Sequence, residues 1–274
     1  MKGVAFGQYY PAESPLHRMD PRAKVILAIL YIVCTFICKN ALSFLVLTLV
    51  GLAMIFISKI PLRMILRSIR PLIFIIAFTS LINIFLTKGE TRLTPESWFF
   101  TIYAEGLWNA LFVTLRIILL IIASGLFLTY TTTPIALTDA LENLLSPLKK
   151  IRVPVHDFAM MMTIALRFIP TLSDETEKIM NAQKARGSDF TGGSLVRRAK
   201  ALIPILIPLF VSAINRAFEL ASAMECRCYH GGEGRTRLKI LRYRTSDWLA
   251  MLAMLLFGVL LFFINRAGIG YTMR

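Results

Sequence analysis

The chain has 274 residues, of which 56% are hydrophobic and only 17% are charged. Its mean hydropathy of +0.65 is too high for a soluble domain of this length, so the composition predicts a membrane protein. The formal net charge of +15 then reports first on membrane topology, because cytoplasmic loops carry an excess of Lys and Arg. Nucleic-acid binding is the weaker explanation of this charge, and we expect no nucleic-acid partner.

Cysteine and histidine usage predicts neither a disulfide framework nor a metal site. The three histidines, His17, His156 and His230, are too scattered for metal-ligand spacing. Cys226 and Cys228 form a lone Cys-x-Cys pair, which cannot close a four-ligand site. The first 24 residues are polar and basic, so we expect no cleavable signal peptide.

Five apolar runs approach the roughly 20 residues that a helix needs to cross the hydrocarbon core of a bilayer. The fold class predicted from them is all-α, a polytopic membrane protein with about five transmembrane helices. The runs are residues 25–38, 41–58, 71–87, 106–132 and 247–265.

Two further apolar stretches, residues 158–172 and 202–214, compete for membrane insertion. If both crossed the membrane, the basic segment between them would face outside, against the positive-inside rule. We therefore predict that both are cytoplasmic, with the N-terminus inside, which puts 25 of the 31 Lys and Arg residues on the cytoplasmic side. The predicted organisation is a membrane part at 1–132, a cytoplasmic helical domain at 133–245, and a final span and tail at 246–274.

The cytoplasmic insert is too long for an ordinary loop and has the pattern of about three helices. The first is predicted from Thr133, with Pro134 at its first position, to a point before Pro147; the others run over about 155–186 and 194–228. Parts of the two long helices, residues 159–169 and 202–209, are apolar nearly all round. Such surfaces must be covered by the membrane boundary or by other subunits.

The two long helices end in the same pattern of residue types. Residues 181–187 read Asn-Ala-Gln-Lys-Ala-Arg-Gly, and residues 222–228 read Ser-Ala-Met-Glu-Cys-Arg-Cys. Small neighbours let a helix end approach a groove closely, and the Arg adds a fork of hydrogen-bond donors. A single such Arg is well explained as ordinary capping of a negative helix end. The duplication favours two equivalent docking ends.

With these residues in view, the chain resembles the transmembrane T component of energy-coupling factor (ECF) transporters, relatives of ABC importers. The resemblance covers nearly the whole chain. It rests on Gly7-Gln8-Tyr9-Tyr10-Pro11, Ser14-Pro15-Leu16-His17-Arg18-Met19-Asp20-Pro21-Arg22, Ala165-Leu166-Arg167-Phe168-Ile169-Pro170 and the Ala-Arg-Gly motif at 185–187. The second motif departs from the family pattern, because Cys226-Arg227-Cys228 stands where Ala-Arg-Gly is common. The resemblance therefore leaves open whether position 228 needs left-handed backbone.

The resemblance implies a non-catalytic scaffold in a prokaryotic plasma membrane that joins two ABC ATPases, forming a heterodimer, to a membrane-embedded, substrate-binding S component. The implied ATPase-docking residues are Ala185, Arg186, Gly187, Cys226, Arg227 and Cys228, and the implied S-component contacts are Met161, Ile164, Phe168, Leu206 and Phe210. We expect no cofactor on this chain, with ATP and Mg²⁺ bound by the partner ATPases. The N-terminal signature and the long insert resemble the shared type that serves several vitamin-binding S components.

The residues themselves agree with a partner that supplies ATP chemistry, because the sequence has no Gly-x-x-x-x-Gly-Lys phosphate loop. Alternatives are a dedicated cobalt, nickel or biotin permease subunit, a self-sufficient secondary transporter, or an intramembrane enzyme. The last two need polar or catalytic groups at mid-membrane, and the predicted spans offer little besides Arg116.

Several isolated charges have structural explanations. Arg116 is expected to pair with a polar group or a carbonyl, while Arg167 and Arg216 are expected to form ion pairs. The basic run from Arg235 to Arg244 indicates attraction to the lipid bilayer.

Overall fold

The computed structural model describes residues 9–87, 89, 91–92, 102–188, 190, 192, 194–231 and 240–267. In these residues the chain is helical, and the only β pairing is a single bridge between Arg92 and Tyr103, which confirms the all-α prediction. The α-helices are α1 (Pro15–Arg18), α2 (Pro21–Ile37), α3 (Ala41–Ser58), α4 (Leu62–Ile69), α5 (Ile73–Leu86), α6 (Ala104–Ser124), α7 (Pro134–Leu144), α8 (Val155–Ala185), α9 (Leu195–Cys226) and α10 (Thr245–Arg266).

Five helical stretches of the described residues are long and apolar enough to cross a membrane, as predicted in number. They are Ala41–Ser58, Leu62–Leu86, Ala104–Tyr130, Val196–Cys226 and Thr245–Arg266. The membership differs from the predicted set in two ways. Helix α2, the predicted first span, has 17 residues, at the lower limit for spanning. Helix α9, which the charge distribution assigns to the cytoplasm, meets the length and composition of a span with a mean hydropathy of 1.8.

The described residues form two compact units, and the division falls within α7. The first unit comprises 9–140 and 240–267, and the second comprises 141–231 with the gaps given above. The predicted domain limits at residues 132 and 245 stay a prediction, because compactness does not report on which side of a membrane a unit lies.

The core of the first unit is built by α2, α3, α6 and α10. The Tyr31 side chain is fully buried, and its hydroxyl donates to the Leu47 carbonyl oxygen at 3.3 Å. Gly51 permits this approach of α2 and α3, since a Cβ there would lie 2.8 Å from the Tyr31 hydroxyl oxygen. The rings of Phe44 and Phe112 stack with centroids 5.1 Å apart. The apolar core is therefore formed where α2 and α6 pack between the neighbouring helices.

Arg116 lies inside the first unit and pairs with a backbone carbonyl. Its Nη2 donates to the Cys38 carbonyl oxygen at 2.9 Å, and its guanidinium carbon lies 5.8 Å and 5.5 Å from the ring centroids of Phe36 and Phe44. A carbonyl at a helix end and two aromatic faces stabilise a cation that would otherwise be costly among apolar helices. The expected structural pairing of Arg116 is confirmed.

The second unit is dominated by α8 and α9, whose lengths of 31 and 32 residues match the predicted helices closely. The predicted start of α7 at Pro134 and its end before Pro147 are also confirmed. Pro170, Pro204 and Pro208 lie within the helices without ending them.

Candidate functional site

The C-terminus of α8 is closed by a Schellman motif. Ala185 is the last helical residue, and Arg186 follows as the C-cap. The Gly187 N–H donates to the Lys184 carbonyl at 2.9 Å, and the Ser188 N–H donates to the Gln183 carbonyl at 3.0 Å. Gly187 has a φ of +86°, as the left-handed residue of this motif requires. Two otherwise unsatisfied carbonyls of the helix end are thereby paired.

The C-terminus of α9 repeats this geometry. Cys226 is the last helical residue and Arg227 is the C-cap. The Cys228 N–H donates to the Glu225 carbonyl at 2.9 Å, and the Tyr229 N–H donates to the Met224 carbonyl at 3.0 Å. Cys228 has a φ of +55°. The left-handed backbone at position 228 is therefore kept although the glycine is not.

The two arginines have nearly the same backbone conformation. Arg186 has φ −85° and ψ 8°, and Arg227 has φ −91° and ψ 13°. Both side chains are exposed, together with the small residues on either side of them. Neither guanidinium is held by an ion pair to another described residue. The two ends thus present the same group of five donors on the same backbone scaffold.

Helices α8 and α9 pack against each other in antiparallel directions. The Tyr229 hydroxyl donates to Met160 Sδ at 3.0 Å near the start of α8. Further along α8, Arg216 Nη2 donates to Glu175 Oε2 at 3.0 Å. Arg227 consequently lies beside the first turns of α8, about 24 residues before Arg186, or roughly 35 Å along the pair at 1.5 Å per residue. The two equivalent ends therefore point away from opposite ends of the helix pair.

Tyr229 is a residue whose role the motif comparison missed. It follows the left-handed Cys228, donates the outer hydrogen bond of the motif, and ties the end of α9 to Met160. The signal available in the sequence was its position two residues after the C-cap Arg227, where an apolar contact is common.

The expected ion pair of Arg216 is confirmed by its contact with Glu175. A hydrogen bond from Ser212 and the pairing with Arg216 hold the pKa of the Glu175 carboxyl below its ordinary value. Glu175 therefore stays charged at neutral pH and fixes the register of α8 against α9. Arg167 makes no ion pair with another described residue.

The residues predicted to contact an S component fall into two groups. Met161, Leu206 and Phe210 are exposed by 52%, 58% and 67%, so each presents an uncovered apolar surface. Ile164 and Phe168 instead line an open groove of about 280 Å³ between α8 and α9. The structure thus places the predicted residues on one helix pair, three on its exposed surface and two in the groove.

Other large apolar side chains on α8 and α9 are also exposed. Further exposed side chains on the helix pair are Phe158, Met162, Leu202, Ile203, Ile207, Val211 and Phe218. A surface of this kind marks contact with a membrane or a partner protein.

A metal-binding arrangement is not found in the part of the chain that the structure describes, where no three His, Cys, Asp or Glu side chains are grouped. His156 Nδ1 lies 2.9 Å from Glu142 Oε1, a contact that joins the start of α8 to the end of α7. Of the basic run before α10, Arg235, Arg237 and Lys239 lie outside the described residues.

Comparison with known proteins adds to this geometry. The sequence pattern of the family described as "Cobalt transport protein", CbiQ, matches residues 12–238. The "Energy-coupling factor transporter transmembrane protein EcfT" of Ruminiclostridium cellulolyticum is 52% identical over 248 residues, covering 90% of this chain and 91% of the relative. The proteins of the same name from Bacillus subtilis and Lactococcus lactis subsp. cremoris are 44% and 45% identical. They cover 97% and 95% of this chain, and 99% and 97% of their own lengths.

Proposed function

This chain belongs to the EcfT family of transmembrane components of energy-coupling factor transporters, and we propose that within such a transporter it is the coupling scaffold. In this role it transmits ATP binding and hydrolysis by two ABC ATPases to a membrane-embedded S component that binds a vitamin or another micronutrient. The ATP and Mg²⁺ belong to the ATPases, and the chain itself performs no chemistry.

The observation that carries the proposal is the duplicated helix end. Arg186 and Arg227 have the same capping geometry and lie at opposite ends of an antiparallel pair. A single receptor groove would need only one such end. Two equal ends roughly 35 Å apart suit two homologous receptors, one on each ATPase of a dimer. Each Arg fork would donate to a carboxylate or to backbone carbonyls in its groove.

The exposed apolar face supports an S component as the third partner. Met161, Leu206 and Phe210 are apolar and exposed on α8 and α9. A membrane-embedded partner is itself apolar on its outer surface, so contact with it would cover these side chains without burying unpaired charge. The groove that contains Ile164 and Phe168 offers a place for a partner side chain.

The proposed location is the plasma membrane of a prokaryote, with the N-terminus and the second unit in the cytoplasm. The excess of Lys and Arg in the segments on that side supports this orientation. In this arrangement α8 and α9 lie along the membrane boundary, although α9 has the composition of a span.

A dedicated metal permease subunit is the second candidate, because the matching family pattern is described as a cobalt transport protein. The names of the EcfT relatives do not specify a substrate. We favour the shared type because of the N-terminal signature, and the choice is tested by reconstitution. One preparation of the chain with its two ATPases should support uptake by several different S components, whereas a dedicated subunit would serve one.

The docking role is tested with Arg186→Glu and Arg227→Glu together in the full complex. We expect loss of ATPase subunits on co-purification and at least about a tenfold fall in ATP-driven uptake, because two desolvated charge contacts become repulsive. The matched control is Arg167→Glu with Lys178→Glu, which makes the same charge change on exposed positions of α8 outside both capping motifs. Wild-type uptake by the double end variant in proteoliposomes would refute the proposal.

A further inference from the structure

A recess of about 650 Å³ opens in the first unit between the N-terminal segment, the end of α3 and the start of α10. Its polar lining includes Arg18, Lys59, Arg244 and Ser246, all of them exposed. One carboxylate, Glu13, also lines it and pairs with Arg18 at 3.1 Å. The recess therefore has three cations against one anion, contributed by segments far apart in the sequence.

The floor and the borders of the recess are apolar. Leu16, Met19 and Ala250 line it alongside the charged groups. The surface of α3 continues the apolar character, with Phe56 exposed by 75% one turn before Lys59. A ligand that fills this place must be anionic at one end and apolar at the other.

The recess also lies at the level of a membrane surface. Lys59 directly follows the spanning stretch Ala41–Ser58, and Arg244 directly precedes Thr245–Arg266. Both cations thus stand where a span meets the head groups, and Trp248 has the amphipathic character typical of that depth. A soluble anion would leave the apolar border in contact with water.

From these features we infer that the recess is a binding site for an anionic phospholipid, whose phosphate is held by Arg18, Lys59 and Arg244 and whose acyl chains lie along α3 and α10. The Ser246 hydroxyl is placed to donate a further hydrogen bond to a head-group oxygen. When a lipid is bound, its phosphate connects the N-terminal segment with the spans that Lys59 follows and Arg244 precedes. The site is separate from the docking ends and does not depend on the proposed function.

A tryptophan introduced at Ala250, which lines the recess, supplies a local probe for the test. In a Trp98→Phe, Trp108→Phe, Trp248→Phe background the fluorescence of Ala250→Trp reports lipid in the recess. Nanodiscs are made with brominated phosphatidylglycerol or with brominated phosphatidylcholine at the same mole fraction. We expect an apparent preference for phosphatidylglycerol of roughly tenfold, as attraction by a few cations at a membrane surface supplies. Equal quenching by both lipids would overturn the proposal.

Three variants and a soluble anion complete the test. Arg18→Gln, Lys59→Gln and Arg244→Gln together should abolish the preference, whereas Arg63→Gln, Arg67→Gln and Arg70→Gln remove equal charge from α4 and its C-cap and should preserve it. Glu13→Gln should strengthen it, because an opposing carboxylate is removed. Adding glycerol phosphate to phosphatidylcholine nanodiscs should leave the emission of the Ala250→Trp protein unchanged. A saturable response there would assign the recess to a soluble phosphate compound, and loss of the preference in both triple variants would assign it to general surface charge.

Discussion

Gly187 and Cys228 occupy the same position of the same helix-ending motif, with φ of +86° and +55°. Each donates its N–H to the carbonyl three residues earlier, so the backbone leaves both helices along equivalent paths. Only Gly adopts this conformation without a steric cost from Cβ. Cys228 adopts this conformation despite the steric cost. This indicates that the backbone path at the end of α9, and with it the placement of Arg227, is the feature that is required.

The Cβ of Cys228 carries this steric cost and Gly187 does not, so two substitutions should have opposite effects on stability. Cys228→Gly should stabilise the α9 end by about 1 kcal/mol, and Gly187→Ala should destabilise the α8 end by about the same amount. No heavy atom lies within 4 Å of a Cβ built at Gly187, so the loss there would come from the backbone alone. Hydrogen exchange of the Tyr229 and Ser188 amides measures both changes in stability, and each should alter the protection of its amide roughly fivefold. Unchanged exchange in both variants would mean that position 228 is not strained.

The sequence predicts the limits of α7, α8 and α9 well because Pro, Gly and the Arg-containing ends mark where each helix begins or ends within a long helical pattern. It does not predict the backbone at 228, since glycine is the usual sign of a left-handed residue and cysteine stands there. Nor does it separate Ile164 and Phe168, in the groove, from Met161 on the surface, because that distinction depends on how α9 packs against α8.

A second prediction concerns which partner meets each end. A photocrosslinking residue at Ala185 should capture one ATPase of the complex, and the same residue at Cys226 should capture the other, because the ends lie at opposite ends of the helix pair. Mass spectrometry of the crosslinked products from the assembled transporter identifies each partner. The same subunit captured at both positions would contradict one docking end per ATPase.

A third prediction concerns the topology of α9, whose composition would allow it to span. Cys226 and Cys228 are exposed, whereas Cys34 and Cys38 are buried, so an impermeant maleimide should react only near the α9 end. With the chain expressed without its ATPases, which would cover these thiols, we expect labelling in inside-out vesicles and none in intact cells.

The decisive comparison uses the other end of the helix. Ser194→Cys, in a Cys226→Ser, Cys228→Ser background, places a thiol at the N-cap of α9. If α9 is cytoplasmic, this thiol is labelled from the same side as Cys226. Labelling from opposite sides would make α9 a membrane span and would require a new topology for α10.

A fourth prediction concerns Arg116. Arg116→Met should lower the thermal stability of the purified protein by a few degrees, because the Cys38 carbonyl loses a donor worth about 1–2 kcal/mol. Arg116→Lys keeps one donor and should recover part of the loss. ATP-driven uptake per folded molecule should stay near wild type. Loss of uptake at unchanged stability would instead give Arg116 a place on a transport path.

The last prediction concerns His17, whose ring connects Tyr10 and Ser14 within the N-terminal segment. Its Nε2 lies 2.9 Å from the Tyr10 carbonyl oxygen, which only accepts, so Nε2 carries the proton and Nδ1 of the neutral ring accepts from the Ser14 hydroxyl at 2.7 Å. Burial lowers the pKa of His17 below 6.5, Lys24 adds to the lowering, and the Tyr10 carbonyl partly opposes it.

Because the folded protein binds this proton less readily than the unfolded chain, the contribution of His17 to stability is present above pH 6.5 and is lost as pH falls through the lower folded pKa. Carbon-detected NMR titration of ¹³C-labelled histidine should show His17 with a pKa below 6.5. Ser14→Ala removes the donor that favours the neutral ring and should raise that pKa. A value at or above 6.5 in the unmutated protein would mean that the ring is solvated and that the segment from Tyr10 to Arg18 is not held by it.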